Sequence, residues 1–96
     1  MADEMQGDRT IRVPEHVLSR RVAGETVLLN LDNEEYYGLD EVGSRFWELV
    51  EAGTTFESAV DVLLDEYEVD RDVLVGDLTK IVSDLAGNGL VLIDGS

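Results

Sequence analysis

Carboxylates are the side chains best suited to chemistry in this chain, and seven of them crowd one segment: Asp61, Asp65, Glu66, Glu68, Asp70, Asp72 and Asp77. Clustered oxygens can bind calcium, but the spacing Asp-x-Asp-x-Asp-Gly of a calcium loop is absent. The single histidine, His16, has no serine and carboxylate at a spacing that suggests a triad, and there is no cysteine. We therefore predict no catalytic residue, no metal site and no cofactor, and we interpret the carboxylates as a solvated face.

Net charge narrows the class of partner. Acidic residues outnumber basic residues by 22 to 7, so the chain carries a formal charge of −15. Nucleic-acid binding depends on Lys and Arg that neutralise phosphates, and we exclude it. The acidity fits solubility or a high-salt habitat, and it also fits the steering of a basic peptide or partner protein. Composition does not separate these two interpretations.

The 96 residues predict a single domain over 11–96, preceded by a polar, disordered tail at 1–10. No apolar run reaches the roughly 18 residues of a membrane span. The first residues are acidic and lack the apolar centre of a signal peptide. We expect a cytoplasmic protein without a membrane partner.

An aromatic strand that leads directly into a helix is the most informative local pattern. Residues 35–39 predict a strand with Tyr37 toward the core and Tyr36 on the opposite face. Asp40 is a good N-cap for a helix over 41–52. Two earlier strands, over 17–22 and 26–31, are joined by short turns, so the three strands predict an antiparallel meander with strand 35–39 at an edge.

Two more helices are predicted after this one. The second begins with a capping box formed by Thr54 and Glu57. The third runs from about 71 to 87 and places Leu74, Leu78, Ile81 and Leu85 on one stripe. Beside that stripe lies a flank of small or β-branched side chains, which either packs under the sheet or forms the floor of a groove: Val75, Thr79, Val82 and Ala86. Residues 90–93 predict a short strand or an apolar tail.

The ordered motifs resemble the PqqD-like family of domains that recognise leader sequences of ribosomally made natural products. The resemblance depends on the segments 27–31, 36–40 and 46–49, followed by Asp84-Leu85 and Gly89-Leu90. It implies an α+β, winged-helix-like domain with a three-stranded antiparallel sheet followed by three helices. Winged helices often bind DNA, but the third helix carries three aspartates against Arg71 and Lys80, so that function is not expected.

The resemblance also implies that a precursor leader peptide binds as an extra strand on strand 35–39, in a groove with the third helix. The residues expected at this site are Asn33, Glu34, Glu35, Tyr36, Tyr37, Arg71, Val75, Leu78, Thr79, Val82 and Ala86. A separate leader peptidase would be the second partner, and the protein itself would not be an enzyme.

Within the family, the lasso-peptide type fits best. Members from pyrroloquinoline quinone synthesis usually show a Tyr-Pro-Glu-Gly-like turn before the third strand and Leu-Asn after it. This chain has Asp-Asn-Glu-Glu at 32–35 and Leu-Asp at 39–40. The alternatives are a peptide chaperone of pyrroloquinoline quinone synthesis, or an acidic winged-helix domain with an interaction or regulatory role.

Overall fold

A computed structural model describes residues 10–94 of the protein and shows an α+β fold, as the sequence predicts. The elements in chain order are β1 (Thr10–Arg12), β2 (Val17–Val22), β3 (Glu25–Asn30), β4 (Glu35–Leu39), α1 (Glu41–Glu51), α2 (Phe56–Glu66), α3 (Arg71–Gly87) and β5 (Leu92–Asp94). Residues 1–9 of the expected tail lie outside the described residues, and Thr10 is the first residue of β1. Within 10–94 no helix is both long and apolar enough to cross a membrane.

Strands β2, β3 and β4 form the predicted antiparallel meander in that spatial order. Ala23 and Gly24 alone connect β2 to β3, and both have positive φ angles of 54° and 86°. This is the geometry of a two-residue type I′ hairpin turn, whose twist matches that of the strands. Among the described residues β4 pairs only with β3, so its other side is an open edge.

Hairpin geometry decides which backbone groups of β4 face that open edge. In a two-residue hairpin the flanking pair, here Val22 and Glu25, exchanges hydrogen bonds, and the direction of the N–H groups alternates along each strand. Alternate residues of β3 therefore point toward β4 and meet Glu35 and Tyr37. Tyr36 lies between these two residues, so its N–H and C=O groups point in the opposite direction, toward the open edge of β4.

A second, two-stranded ribbon joins the ends of the described chain. Strand β1 pairs antiparallel with β5, with Ile11 opposite Ile93. Residues 90–93 were expected to form a short strand or an apolar tail, and a strand is present at Leu92–Asp94, whereas β1 was not expected. Three residues are too few to show a period of two, so only the pairing reveals this strand.

The core lies between the inner face of the meander and the three helices. Its largest fully buried side chains are Trp47 and Phe46 of α1, joined by Leu28 of β3 and by Leu78 and Leu85 of α3. The buried face of β3 also contains Thr26 and Asn30. The main-chain amide of Thr26 donates to Ser44 Oγ at 2.8 Å, and the side chain of Asn30 donates through Nδ2 to the Asn88 carbonyl at 2.9 Å.

Helix caps confirm one prediction and correct another. Asp40 caps α1, with its Oδ1 accepting from the Gly43 amide at 2.9 Å. The predicted capping box of Thr54 and Glu57 is wrong, because Thr55 is the N-cap of α2 and accepts from the Ser58 amide. The Thr54 amide instead donates to the Leu49 carbonyl at 3.0 Å, which makes Thr54 part of the ending of α1.

Candidate functional site

A side-chain hydrogen bond joins β4, the strand with the open edge, to α3. The Tyr37 hydroxyl donates to Asp84 Oδ2 at 3.3 Å. Partial burial raises the pKa of the Tyr37 hydroxyl above its ordinary value, and the negative charge of Asp84 and the hydrogen bond raise it further. Tyr37 therefore stays neutral near pH 7 and can keep donating to the carboxylate.

An apolar pocket of about 410 Å³ lies between α3 and the residues that directly follow β4, namely Asp40, Val42 and Gly43. We call this pocket, together with the cleft beside Tyr37, the β4–α3 groove. Leu78 and Ile81 of α3 form part of its floor, and Val42 of α1 lies opposite them. Gly43 permits the close approach of α1 to β4, since a Cβ there would lie 3.3 Å from Leu39 side-chain atoms. The rest of the lining is Asp40, Val69, Val73, Leu74, Asp77 and Lys80.

A smaller notch of about 80 Å³ lies at the other end of the groove. Tyr36 and Tyr37 line it from β4, and Asn88 and Leu90 line it from the end of α3 and the segment after it. Asn88 is anchored by its Nδ2, which donates to the Asp84 carbonyl at 2.8 Å. The start of β4 thus lies near the end of α3.

Negative charge borders the groove. Glu35, Asp40 and Asp77 line its two pockets, and Asp84 bridges to Tyr37. Lys80 is the cation of the apolar pocket, and it makes no ion pair with any residue that the structure describes. The arrangement suits a peptide with apolar side chains for the pocket and basic side chains for the rim.

The structure brings together only part of the site expected from the sequence. Glu35, Tyr36, Tyr37 and Leu78 line the groove. Tyr36 and Tyr37 point to opposite faces as predicted, with Tyr36 73% exposed and Tyr37 packed against the core. Asn33 and Glu34 lie in the turn before β4, where Asn33 Oδ1 accepts from the Glu35 amide at 3.0 Å and Glu34 has a φ of 62°.

The remaining expected residues lie on the other side of α3. Thr79, Val82 and Ala86 line a separate cavity of about 260 Å³ with Phe56 of α2 and Ile93 of β5. Val75 packs against the core outside either pocket of the groove, and Arg71 Nη1 pairs with Asp61 Oδ1 of α2 at 3.2 Å. At about 100° per residue, Ile81 and Ala86 are about 140° apart around the helix. The expected flank therefore does not form the floor of the β4–α3 groove.

Apart from Leu78, the residues of α3 and its C-cap that border the groove are not among those expected at the site. Asp77, Ile81, Asp84 and Asn88 follow one another at intervals of four, three and four, which places them along one side of the helix. This mixed stripe was available as a signal. A stripe that mixes charged, amide and apolar side chains is also typical of any half-solvated helix face, so it does not by itself indicate a groove.

The dense carboxylates of the α2–α3 region are partly engaged in ion pairs. Glu66 receives two hydrogen bonds from Arg45, at 2.9 and 2.8 Å, and Asp61 pairs with Arg71. Over residues 10–94 no group of three or more His, Asp or Glu side chains is placed to hold a metal ion.

Comparisons with known proteins identify the class to which this fold and groove belong. The family model described as coenzyme PQQ synthesis protein D (PqqD) matches residues 25–91. The chain belongs to the PqqD family, and the resemblance seen in the sequence is confirmed.

Two solved structures share the fold. One is TbiB1 in complex with the TbiA(beta) leader peptide, at 40% identity, covering 83% of this chain and 93% of that one with a TM-score of 0.79. The other is lasso peptide synthetase B1 complexed with the leader peptide, at a TM-score of 0.77 over 85% of this chain and 96% of that one. Its 24% identity supports the fold alone. A comparison with curated proteins finds no match.

Proposed function

We propose that the protein is a non-catalytic recognition protein of lasso-peptide type. It binds the leader region of a ribosomally synthesised precursor peptide and presents it to a separate leader peptidase or another maturation enzyme. The observation that carries this proposal is the open edge of β4 beside the groove formed with α3. The TbiB1 structure, which contains a leader peptide, supports the same use of the fold.

Strand addition explains how the edge and the groove act together. The outward N–H and C=O groups of Tyr36 supply main-chain hydrogen bonds, which give affinity for any extended peptide. Alternate side chains of an added strand turn toward the same face as Tyr37 and reach the groove. The apolar pocket at Leu78 and Ile81 and the acidic rim then select among peptides.

The absence of catalysis is part of the proposal. The single histidine is engaged in structure, since His16 Nε2 lies 3.0 Å from the Gly89 carbonyl and Nδ1 lies 3.8 Å from Asp32 Oδ2. No serine is hydrogen-bonded to it among the described residues. Leader removal therefore falls to a second protein, which we expect to meet this one in the cytoplasm.

Amide hydrogen exchange with and without the leader peptide tests the proposal. We expect the leader to slow the exchange of the Tyr36 amide, whose N–H faces the open edge. The Tyr37 amide, which faces β3, is the internal control and should change much less. Leader binding that leaves the Tyr36 amide unprotected would contradict strand addition on β4. Incubating the protein and the precursor without a peptidase, followed by mass spectrometry, should show an intact precursor.

A further inference from the structure

The face of the meander that points away from the helices is open and largely apolar. Leu18, Leu29 and Tyr36 form one continuous row across the three strands, because Leu29 is paired with both of the others. Arg20 and Val27 form the next row, which ends at Gly38. We call Leu18, Arg20, Val27, Leu29 and Tyr36 the outer sheet face.

The β2 residues that alternate with Leu18 and Arg20 contact α1, which confirms that Leu18 and Arg20 point away from the helices. Ser19 Oγ donates to Glu51 at 3.0 Å, and Arg21 donates to Glu48, so both residues of β2 turn toward α1. Leu18 and Arg20 alternate with them and turn away. Leu18 is 51% exposed.

The outer sheet face has a depression that a protein side chain could fill. Its volume is about 410 Å³, and its walls come from Leu18, Val27, Leu29 and Tyr36. Gly38 leaves one end open, since a Cβ there would meet no atom within 4 Å. Exposed apolar patches of this kind mark interaction sites more often than chance.

Arg20 is a positively charged side chain that no described carboxylate of the chain neutralises. It lines the depression and makes no ion pair with any described residue, although the chain has 22 carboxylates. A partner that covers this face must therefore place a carboxylate or carbonyl oxygen opposite Arg20, within an otherwise apolar contact. A second copy of the chain is disfavoured, because each copy carries a charge of −15 and would bring another Arg20 to the same face.

We propose that the outer sheet face is the docking surface for the enzyme that processes the bound leader. This inference rests on the proposed function, and the observation that supports it is that β4 belongs both to the leader edge and to the outer sheet face. The amide of Tyr36 faces the edge where the leader adds, while its ring lies on the outer sheet face. A leader strand on β4 extends the same sheet, so half of its side chains continue this face. An enzyme docked here contacts the protein and the leader together and distinguishes the loaded protein from the empty one.

Charge-introducing variants on β2, the strand farthest from the leader edge, test this surface. Leu18→Glu places a carboxylate in the depression, and Arg20→Glu reverses the charge opposite the partner. Leu92→Glu on β5 is the matched control, because Leu92 has a similar exposure of 47% and lies outside the meander. For each variant, one titration measures the affinity for the leader, and a second measures binding of the leader peptidase to the leader-loaded protein.

We expect Leu18→Glu and Arg20→Glu each to weaken peptidase binding by about tenfold or more, which corresponds to about 1.4 kcal/mol. Their leader affinity and that of Leu92→Glu should stay near the wild-type value. Peptidase binding that both β2 variants leave unchanged would overturn the docking surface while leader binding stands. Loss of leader affinity in folded Leu18→Glu would also overturn it, since the face would then belong to the leader site. A wild-type protein that binds no leader would instead overturn the proposed function.

Discussion

Tyr37 donates a hydrogen bond to Asp84 at 3.3 Å and thereby links the edge strand β4 to the last turns of α3. The two residues are 47 positions apart, so the contact depends on the whole helical part of the fold. It divides the groove into the apolar pocket near Ile81 and the notch near Asn88. The pair therefore connects the strand to which we propose that a leader peptide adds with the helix that borders the groove.

The raised pKa of Tyr37 predicts a specific pH dependence of stability. Tyr37 binds its proton more tightly in the folded state than in the unfolded state, where the pKa is near 10.0. The unfolded state then loses this proton first, so the free energy of unfolding falls as pH rises through about 10. We expect Tyr37→Phe to lose less stability than wild type between about pH 9 and pH 11. Urea unfolding across this range measures the difference.

Tyr67 serves as the background in that comparison. Its pKa is also raised, and it remains in both proteins, so only the difference between the two profiles reports on Tyr37. Parallel profiles would mean that the Tyr37–Asp84 contact contributes no linked stability.

The side of α3 that receives the peptide can be tested by two aspartate substitutions. Ile81→Asp places a charge in the pocket beside β4, whereas Ala86→Asp places one in the separate cavity near Phe56. We expect Ile81→Asp to weaken leader binding at least about tenfold, because a carboxylate is buried on an apolar floor. Ala86→Asp should bind nearly as wild type does. Circular dichroism and thermal melting check that both are folded, and the reverse order of affinities would move the peptide to the other side of the helix.

The three strands of the meander and the first helix were predictable because their signals are local. Tyr36 and Tyr37 differ in exposure as alternation requires, and Asp40 caps α1 through a contact three residues away. A period of two and a capping side chain can both be identified in a short stretch of sequence.

The groove was only partly predictable because it depends on how α3 is rotated against the sheet. A helical stripe shows which residues share a side, and Leu78 and Leu85 were correctly placed in the core. It does not show which neighbour each flank meets. The rotation of α3 is determined by Phe56 and the β1–β5 ribbon, which pack on the side of the helix that carries Ala86. Strand β1 has no recognisable pattern in the sequence, so this packing could not be predicted.

The hairpin turn between β2 and β3 contains a residue in an unfavourable conformation. Ala23 has a φ of 54°, a region that Asn adopts far more readily than Ala. We expect Ala23→Asn to raise the free energy of unfolding by about 0.5–1 kcal/mol. Ala52→Asn is the control, because Ala52 has an ordinary φ of −81° and should show no such gain. Equal effects of both substitutions would remove the turn as the cause.

The acidity of the chain leads to a kinetic prediction. If the charge of −15 steers a leader that contains Lys or Arg, its association rate should fall as salt rises, because screening shortens to about 10 Å at 0.1 M. The dissociation rate should change less, since strand pairing and the apolar pocket determine it. Stopped-flow measurements from low to high salt separate the two rates. An association rate independent of salt would assign the acidity to solubility.

The most direct test of strand addition on β4 is the leader affinity of Tyr36→Pro compared with Tyr36→Ala. Both substitutions remove the exposed ring, but only proline removes the N–H that faces the open edge and leaves the β3 pairing of Glu35 and Tyr37 in place. With both proteins shown to be folded, we predict that Tyr36→Pro binds the leader at least about tenfold more weakly than Tyr36→Ala. Equal affinity of the two variants would contradict the account, because the peptide would then not pair with β4.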